Sequence, residues 1–473
     1  MRRITLFLLL SLILGSVYAH PWKPAHFVII DTDAGIDDMR AISMLLASND
    51  VKVLGIVVSG GALSPYDGYK KVKSMLNSYH HEGIPVAINY NIRGHDMPVP
   101  LALNWGIEEE LNVPGTNGFN KLCKSLCESG SDKISFISLG SLNSIAELVN
   151  GGVIDEERIK EILWSSNSLN KLNGFNAGID IRSVNRILKG SIPLIAVGYP
   201  AGEFYDKDFI KDLDNINNRY AKKISEIISA NPDLKDHSFA ASAADEMIAV
   251  YLHRPDLFTS SQARKHTFMK PGSMDDLKKS ALTIFEGGIV AGRQVIKSLP
   301  RDTSFYQPDI QPYISEIIAS HGLQEWECGV LANEIHRHLG IYSIIGVKMG
   351  IRALEYFGAG VDELEIISSA GSSPPISCMN DGLQVSTGAT TGHGLLTVDP
   401  SLLEASAIFK HYGESIRISL KEDLARKISE ELRELSIVNG LDSDIYWEIV
   451  RQRAILHWKN LDKYEIFDIE ALN

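Results

Sequence analysis

From residue 26 onward, short continuous apolar runs alternate with amphipathic stretches. Phe27-Val28-Ile29-Ile30 ends in Asp31, and residues 41–47 then carry the apolar face of a helix. Residues 53–58 form a second apolar run, followed by glycines and a stretch that places Val72, Met75, Leu76 and Tyr79 on one helical face. Residues 84–88, 134–139, 162–164 and 194–197 supply further runs of strand length. Strands that are apolar without alternation are buried on both faces, so the pattern predicts a mostly parallel sheet with helices on both sides. In such a sheet ligands bind beyond the carboxyl ends of the strands, which directs attention to the residues after each run.

The pattern changes after residue 300. The stretch PRDTSFYQPDIQP (300–312) holds three prolines and no periodicity, and reads as a linker over 301–312. A helical segment over 314–338 leads into another over 344–357, and 364–369 reads as a strand. A Gly/Ser/Thr-rich segment then occupies 368–394, read between Cys378 and His393 as a glycine-rich loop, and a charged helix runs from 421 to 435. No internal repeat relates the halves. The expectation is an α/β domain over 25–300, mostly parallel sheet with helices on both faces, joined to an unlike α+β domain over 313–473.

Composition narrows the class. A chain of 473 residues exceeds what one core usually needs, and 44% hydrophobic with 22% charged residues is ordinary globular usage. Acidic residues outnumber basic ones 59 to 46, a net charge of -13 that disfavours a phosphate-tracking nucleic-acid binder. Arg2 and Arg3 precede an apolar run over 6–14, and Val17-Tyr18-Ala19 offers small residues for cleavage. This predicts a secretory signal peptide over 1–19, too short in its apolar part to span a bilayer, and a mature chain beginning near His20. No later run has the roughly 20 apolar residues of a membrane span. The compartment expected is secreted or periplasmic. Four cysteines exclude a disulfide scaffold. Cys123 and Cys127, four apart on an expected helix, would strain a disulfide, while Cys328 and Cys378 leave a pairing open.

The densest chemistry is Asp31-Thr32-Asp33-Ala34-Gly35-Ile36-Asp37-Asp38, four carboxylates within eight residues at a strand end. Such charges repel unless a cation neutralises them. Gly35 is expected to allow the tight turn, and the following helix N-terminus favours the anionic forms of Asp37 and Asp38. An all-oxygen donor set suits a hard cation, Ca²⁺ or Mg²⁺, rather than zinc. A solvated capping turn is the alternative, and four acids behind an apolar run weigh against it.

This segment resembles the DTDxGxDD signature of the inosine-uridine preferring nucleoside hydrolases. The resemblance continues through HEGIPVAI (81–88), ISLGSLNSIAEL (137–148), GFNAGID (174–180) and AADEMIAVYLHRPDLF (243–258). It implies a Ca²⁺ at the base of a pocket, binding the catalytic water and the ribose hydroxyls. Carried over, it makes Asp33 a ligand and the general base, with Asp38, the backbone carbonyl of Leu139 and Asp245 as the remaining protein ligands. Asp37 and Asn176 would hold ribose hydroxyls, and Asp31 would orient the cluster. An oxocarbenium-like transition state suits an anionic pocket with a metal-activated water and a base beside it.

Three positions depart from the family pattern. Ala244-Asp245 stands where the family has His-Asp, which removes the histidine that protonates the leaving base. Gly174-Phe175-Asn176 replaces Glu-Phe-Asn, and Gly60-Gly61 replaces Gly-Asn. Losing one general acid typically costs about 10²–10⁴-fold, so substrates with good leaving groups are favoured. Glu246 and His237 are the nearest replacements in sequence. Trp105, Trp164, Phe175 and Tyr205 are candidates to shape an aglycone pocket.

In the second half, His336-Arg337-His338-Leu339-Gly340 and the segment from Ser377 to Gly394 bring imidazoles and a thiol near glycines. The pattern resembles the FmdE family, named for formylmethanofuran dehydrogenase, with His336, His338, Cys378, Asp381, Gln384, Thr387 and Gly388 at matching positions. Gly340, Ile341, Ala389 and His393 replace other residues of its motifs. His336, His338, Cys378 and His393 would suit Zn²⁺ or another transition metal, with both neighbouring imidazoles on one side of an extended segment. Surface histidines and a buried cysteine are the plain alternative.

The leading expectation is therefore an exported, Ca²⁺-dependent hydrolase of N-glycosidic bonds fused to an FmdE-like domain. Its partner would be a small-molecule nucleoside or glycoside, with no nucleic acid; a homo-oligomer is compatible with the sequence. A non-catalytic, metal-dependent nucleoside- or sugar-binding protein is one alternative, and a bifunctional enzyme with a redox or metal second domain is another. Retention of Asp33 favours an enzyme, because a binder needs no base.

Overall fold

Strand β1 (His26–Thr32) divides its side chains between two cores: Val28 and Ile30 enter one, Phe27 and Ile29 the other. That alternation, with both faces apolar, is why the run shows no polar period in sequence. In the computed structural model, residues 24–92, 105, 111–130, 132–169, 174–231, 241–287, 295 and 298–472 are described. The expected signal peptide and His237 lie outside them.

β1 pairs in parallel with β2 (Val51–Val58) on one side and β4 (Ile134–Ser138) on the other. With β3 (Val86–Ile88), β5 (Ile159–Ser165), β6 (Leu194–Val197), β7 (Phe258–Ala263) and β8 (His266–Pro271), the order is β3-β2-β1-β4-β5-β6-β8-β7. All pairs are parallel except β7 with β8. One face is covered by α1 (Ile36–Ala47), α2 (Pro65–Ser78) and, later in the chain, the helices at Arg219–Ala230, Glu246–His253 and Met274–Phe285. The other is covered by α3 (Phe119–Ser129), α4 (Asn143–Asn150) and a helix at Ile181–Ile187. The predicted parallel sheet with helices on both faces is thus what forms. Chain order reverses at β1, so a crevice opens above the carboxyl ends of β1 and β4.

The C-terminal part has its own core around a second sheet of order β10-β9-β11-β12-β13, from β9 (Glu365–Ser368), β10 (Leu396–Val398), β11 (Ser406–His411), β12 (Glu414–Leu420) and β13 (Phe467–Ala471). β9 and β10 are parallel and the other pairs antiparallel. Ile310 is buried in this core and Tyr306 packs edge-on to Trp326, so residues 303–313 lie against the second unit. The charged helix extends over Glu422–Asn439.

Two expectations are corrected here. The Gly/Ser/Thr-rich stretch contains a helix, Met379–Thr387, packed on the helix Ile341–Phe357. A Cβ at Gly346 would meet the Met379 backbone, and one at Gly382 the Ser343 backbone, so these glycines mark close helix contact rather than loop. His336 ends the helix Leu323–His336 and Arg337 is left-handed (φ 64), so the histidine pair does not sit on an extended segment.

Polar groups join the two units. Lys52 donates to the Gly358 carbonyl (2.7 Å) and pairs with Glu363 (3.1 Å), which His411 also approaches (3.6 Å). His81 is held between the Glu355 carbonyl (2.5 Å) and the Tyr220 hydroxyl (2.6 Å). Arg219 pairs with Glu355, and Arg352 with Glu82 (2.9 Å). All four cysteines are free, and no described helix is long and apolar enough to cross a membrane.

Candidate active site

The turn from β1 into α1 is built differently from the sequence expectation. Ala34 is the left-handed residue (φ 59), whereas Gly35 is extended (φ -60, ψ 174). Glycine is required at 35 for another reason: a Cβ there would lie 2.9 Å from Asp38 Oδ2 and 3.0 Å from Asp37 Oδ1. The Thr32 hydroxyl donates to Asp38 Oδ1 (2.6 Å), the Asp33 amide donates to the same oxygen (3.1 Å), and Thr32 Oγ1 accepts from the Ala34 amide (3.0 Å). Lys71 of α2, buried, donates to the Ala34 carbonyl (2.8 Å) and pins the strained residue. Nothing in the α2 periodicity marks this lysine, because its position reads as one polar residue among several.

Asp37 and Asp38 in the first turn of α1 converge with Asp245, which precedes the helix Glu246–His253. Their ligand atoms lie within 4.8 Å of one another, and among the described residues no other cluster of three His, Cys, Asp or Glu does this. Asp37, expected from the sequence to hold a ribose hydroxyl, thus stands beside Asp38 and Asp245. Asp33 lines the same cavity, with its carboxylate over Gly61 and Gly140. A Cβ at Gly61 would run into that carboxylate, so the residue that departs from the family pattern is the one that leaves Asp33 its space. The Leu139 carbonyl accepts from Asn176 Nδ2 (2.6 Å), which joins the end of β4 to the helix Phe175–Ile179.

Burial opposes the charge of this cluster. It pushes Asp31 up to about 8 against the pull of the Ser59 and Ser144 hydroxyls. Burial and then the Asp38 charge push Asp37 up to about 6, and the same two causes raise Asp33. Asp245 is raised by burial and then by Asp37 and Asp38. Lys71 moves down to about 8 through burial, opposed by Asp38, Asp33 and Asp37. Oxygen donors whose charged forms are disfavoured by burial and by one another fit a hard divalent cation, which would replace their protons.

The consequence is a linked pH dependence. Carboxyls with raised folded-state values stabilise the metal-free fold fully below their unfolded value near 4, and this is lost as pH rises through about 6 and about 8. The melting temperature of chelated protein is expected to fall between pH about 5 and about 8.5, and a bound cation to flatten that slope. Calorimetry in buffers of different ionisation enthalpy should show protons released on cation uptake, more at pH about 6 than at about 8.5. Uptake with no proton release at either pH would rule this out.

A second layer sets the acidic helices. Arg40, one turn beyond Asp37, pairs with Glu246 (2.7 Å), donates to the Ser242 carbonyl (2.9 Å) and lies over the Tyr205 ring (4.1 Å). Tyr205 donates to Glu246 (2.9 Å). Glu246 is fully buried, outside the cavity lining, so it is not placed to protonate a leaving group. Trp105, Trp164 and Tyr205 belong to the cores; Trp164 donates to the Gly140 carbonyl (3.1 Å).

The cavity holds about 370 Å³. Besides the carboxylates it is lined by residues 165–168 at the end of β5, by Phe175 and Asn176, by Tyr199 after β6, and by Ser242 and Ala244. Phe175, 55% exposed, is the sequence-selected aromatic that does line it; Tyr199 is one that sequence reading missed.

In the second unit, His336 and His338 lie with ring centroids 4.1 Å apart and tilted by 41°, and His336 Nδ1 meets Asp381 Oδ2 (2.7 Å) while its Nε2 is buried without a partner. Burial pushes the Cys378 thiol up to about 11. His393 is turned to the Gly388 carbonyl (3.1 Å) and Asp362 (3.3 Å). The two neighbouring imidazoles are brought together; the four expected ligands do not form a cluster of the kind seen at Asp37, Asp38 and Asp245.

Known proteins share both parts. Residues 28–299 match the family described as inosine-uridine preferring nucleoside hydrolase, and residues 335–453 match FmdE, molybdenum formylmethanofuran dehydrogenase operon. The pyrimidine-specific ribonucleoside hydrolase RihA of Escherichia coli O81 (strain ED1a) is 23% identical over 262 residues, 49% of this chain and 81% of that one. The inosine-uridine preferring nucleoside hydrolase of Bacillus anthracis is 14% identical with a TM-score of 0.45, covering 55% of this chain and 99% of that one. The purine-preferring ribonucleoside hydrolase of Gardnerella vaginalis gives 14% and 0.45, covering 55% and 98%. With more than half its length matched, and the acidic turn at the sheet's switch point, the chain belongs to the inosine-uridine preferring nucleoside hydrolase family, hydrolases of N-glycosyl compounds, and carries an FmdE domain after it.

Proposed function

We propose that this chain is an exported, Ca²⁺-dependent hydrolase that cleaves the N-glycosidic bond of a nucleoside or related riboside. The observation that carries the reading is the convergence of Asp37, Asp38 and Asp245 on one floor of a 370 Å³ cavity, with Asp33 on the same wall. Asp38 and Asp245, with Asp37 or Asp33 and the Leu139 carbonyl, would hold the cation. Bound there, the cation supplies an acidified water and a counter-charge for the ribose hydroxyls. Asp33, beside Gly61 and Gly140, would take the proton of the attacking water, and Asn176, next to the Leu139 carbonyl, would orient a ribose hydroxyl. The buried carboxylates oppose the positive charge that develops on the sugar ring. Export rests on the N-terminal Arg-Arg, apolar run and Ala19; N-terminal sequencing from the native host is expected to begin near His20, and an intact Met1 on soluble cytoplasmic protein would refute it.

The test is release of free base from inosine and uridine by the full chain, with Ca²⁺ and after EGTA. Activity that is lost on chelation and restored by Ca²⁺ is the expected result. Activity indifferent to chelation, or no calorimetric Ca²⁺ binding, removes the reading.

For the FmdE domain, the His336–His338 pair, with His336 oriented by Asp381, fits two imidazole ligands of Zn²⁺ or a neighbouring metal, while the engaged His393 does not. Elemental analysis should show transition metal that falls with His336→Ala and stays with His393→Ala. Equal metal content in the wild type and His336→Ala would dismiss the site.

A further inference from the structure

The riboside reading leaves one chemical demand unmet. When the C1′–N bond breaks, its electron pair stays on the aglycone nitrogen, and a strongly basic nitrogen needs a proton as it leaves. Ala244 offers none, and Glu246 is spent on Arg40 outside the cavity. The carboxylates that line the cavity are gathered at the cation floor, on the sugar side. Of the other lining side chains, the hydroxyls of serine are far too weakly acidic to act alone, and the amides of Asn167 and Asn176 do not ionise.

Tyr199 remains. We propose, resting on the riboside reading, that the Tyr199 phenol is the proton donor to the departing aglycone in this chain. Its place in the fold is fixed from both sides. β6 delivers Gly198, whose amide donates to the Met269 carbonyl (2.9 Å), and the Tyr199 amide donates to Asn167 Oδ1 (2.9 Å) in the segment after β5. A Cβ at Gly198 would crowd the Phe268 ring at 3.0 Å and Asn167 Oδ1 at 3.1 Å, so glycine is what lets the turn pass this closely. Pro200 restricts Tyr199 to extended backbone. Tyr199 is 38% exposed and Phe175 55%, and both line the cavity; two large aromatic side chains left open there suit a flat heteroaromatic aglycone.

Burial, and then the charges of Asp245 and Asp37, hold the phenol above its ordinary value, opposed by the Asn167 side chain. It therefore keeps its proton at neutral pH until a base of comparable strength forms beside it. The balance is closed: water gives hydroxide to C1′ and a proton to Asp33, the aglycone nitrogen takes the bond's electron pair and the Tyr199 proton, and Asp33 then releases its proton to solvent while the phenolate takes one back, so both side chains return to their starting states. The sum is riboside plus water giving ribose and free base.

Tyr199→Phe keeps the ring and removes only the proton. The full chain and this variant are compared on inosine, on uridine and on p-nitrophenyl riboside, whose leaving group needs little protonation. The expected result is a kcat loss of about 10²-fold on the nucleosides with less than about 5-fold on the nitrophenyl compound, at unchanged Ca²⁺ affinity. Equal losses on all three, or no loss on the nucleosides, overturns the tyrosine's role while leaving the riboside reading standing. A wild type that releases nothing from any of the three overturns that reading, and the tyrosine's role with it. In a folded Tyr199→Phe protein, Ala244→His should restore nucleoside turnover, and failure to restore it counts against the proposal; if Tyr199→Phe is poorly folded, Tyr199→Met, which fills similar space without a proton, should show the same loss confined to the nucleosides, and equal losses on all three substrates overturn the role.

Discussion

Asp245→Ala is expected to remove tight Ca²⁺ binding and to lower riboside hydrolysis by at least about 10³-fold, the larger part of it in kcat. Asp245 reaches the floor from a different part of the chain than Asp37 and Asp38, so its loss leaves two adjacent carboxylates on one helix turn that cannot surround an ion. The variant's fold should not suffer in metal-free protein. Burial, and then the Asp37 and Asp38 charges, disfavour the charged form of Asp245 in the unliganded native state, and alanine removes that cost. Calorimetry and a melting curve with and without Ca²⁺ separate these effects. Wild-type stability in EGTA, no Ca²⁺-induced rise in melting temperature and no turnover form the expected pattern. A variant that still binds Ca²⁺ as tightly as the wild type would take Asp245 out of the site.

How far this site could be read in advance depended on chain locality. Asp31 through Asp38 lie on one strand end and one helix turn, and their spacing alone announces convergence. Tyr199 and Lys71 were invisible for the opposite reason. Tyr199 enters the cavity only because β6 lies beside β5, and Lys71 meets Ala34 only because α2 packs back over the turn. The continuous apolar strands revealed a buried parallel sheet, but the same logic failed at Met379–Thr387. There the glycines that look like loop are the points where two helices touch. Gly35 is a similar case: glycine was foreseen, but for backbone freedom, when crowding by two carboxylates is what demands it.

Lys52→Met is expected to destabilise the chain by about 3–5 kcal/mol, the largest stability effect of any single change considered for this fold. Lys52 is 2% exposed and belongs to β2 of the first unit, yet its ammonium meets the Gly358 carbonyl and Glu363 of the second. Burial pulls the ammonium down and Glu363 holds it up, while Lys52 draws Glu363 down to about 2. Methionine fills the space of the stem but deprives the buried Glu363 carboxylate of its cation, leaving it only the Gly360 amide and His411. Glu363→Leu in the same background removes that penalty, so the double variant should recover much of the loss. Acid should act on the same seam. His81 and His411 are held near 4 by burial, so the unfolded chain binds protons below about 6.5 that the folded chain refuses until about 4, and stability falls as pH drops through that window. Glu363 adds to the loss below its unfolded value of about 4.5. This slope runs opposite to that of the acidic cavity and persists with Ca²⁺ bound, which makes the two separable in one pH series. A Lys52→Met variant within about 1 kcal/mol of the wild type at pH 7, or a double variant no better than the single, would show that the two units do not depend on this ion pair.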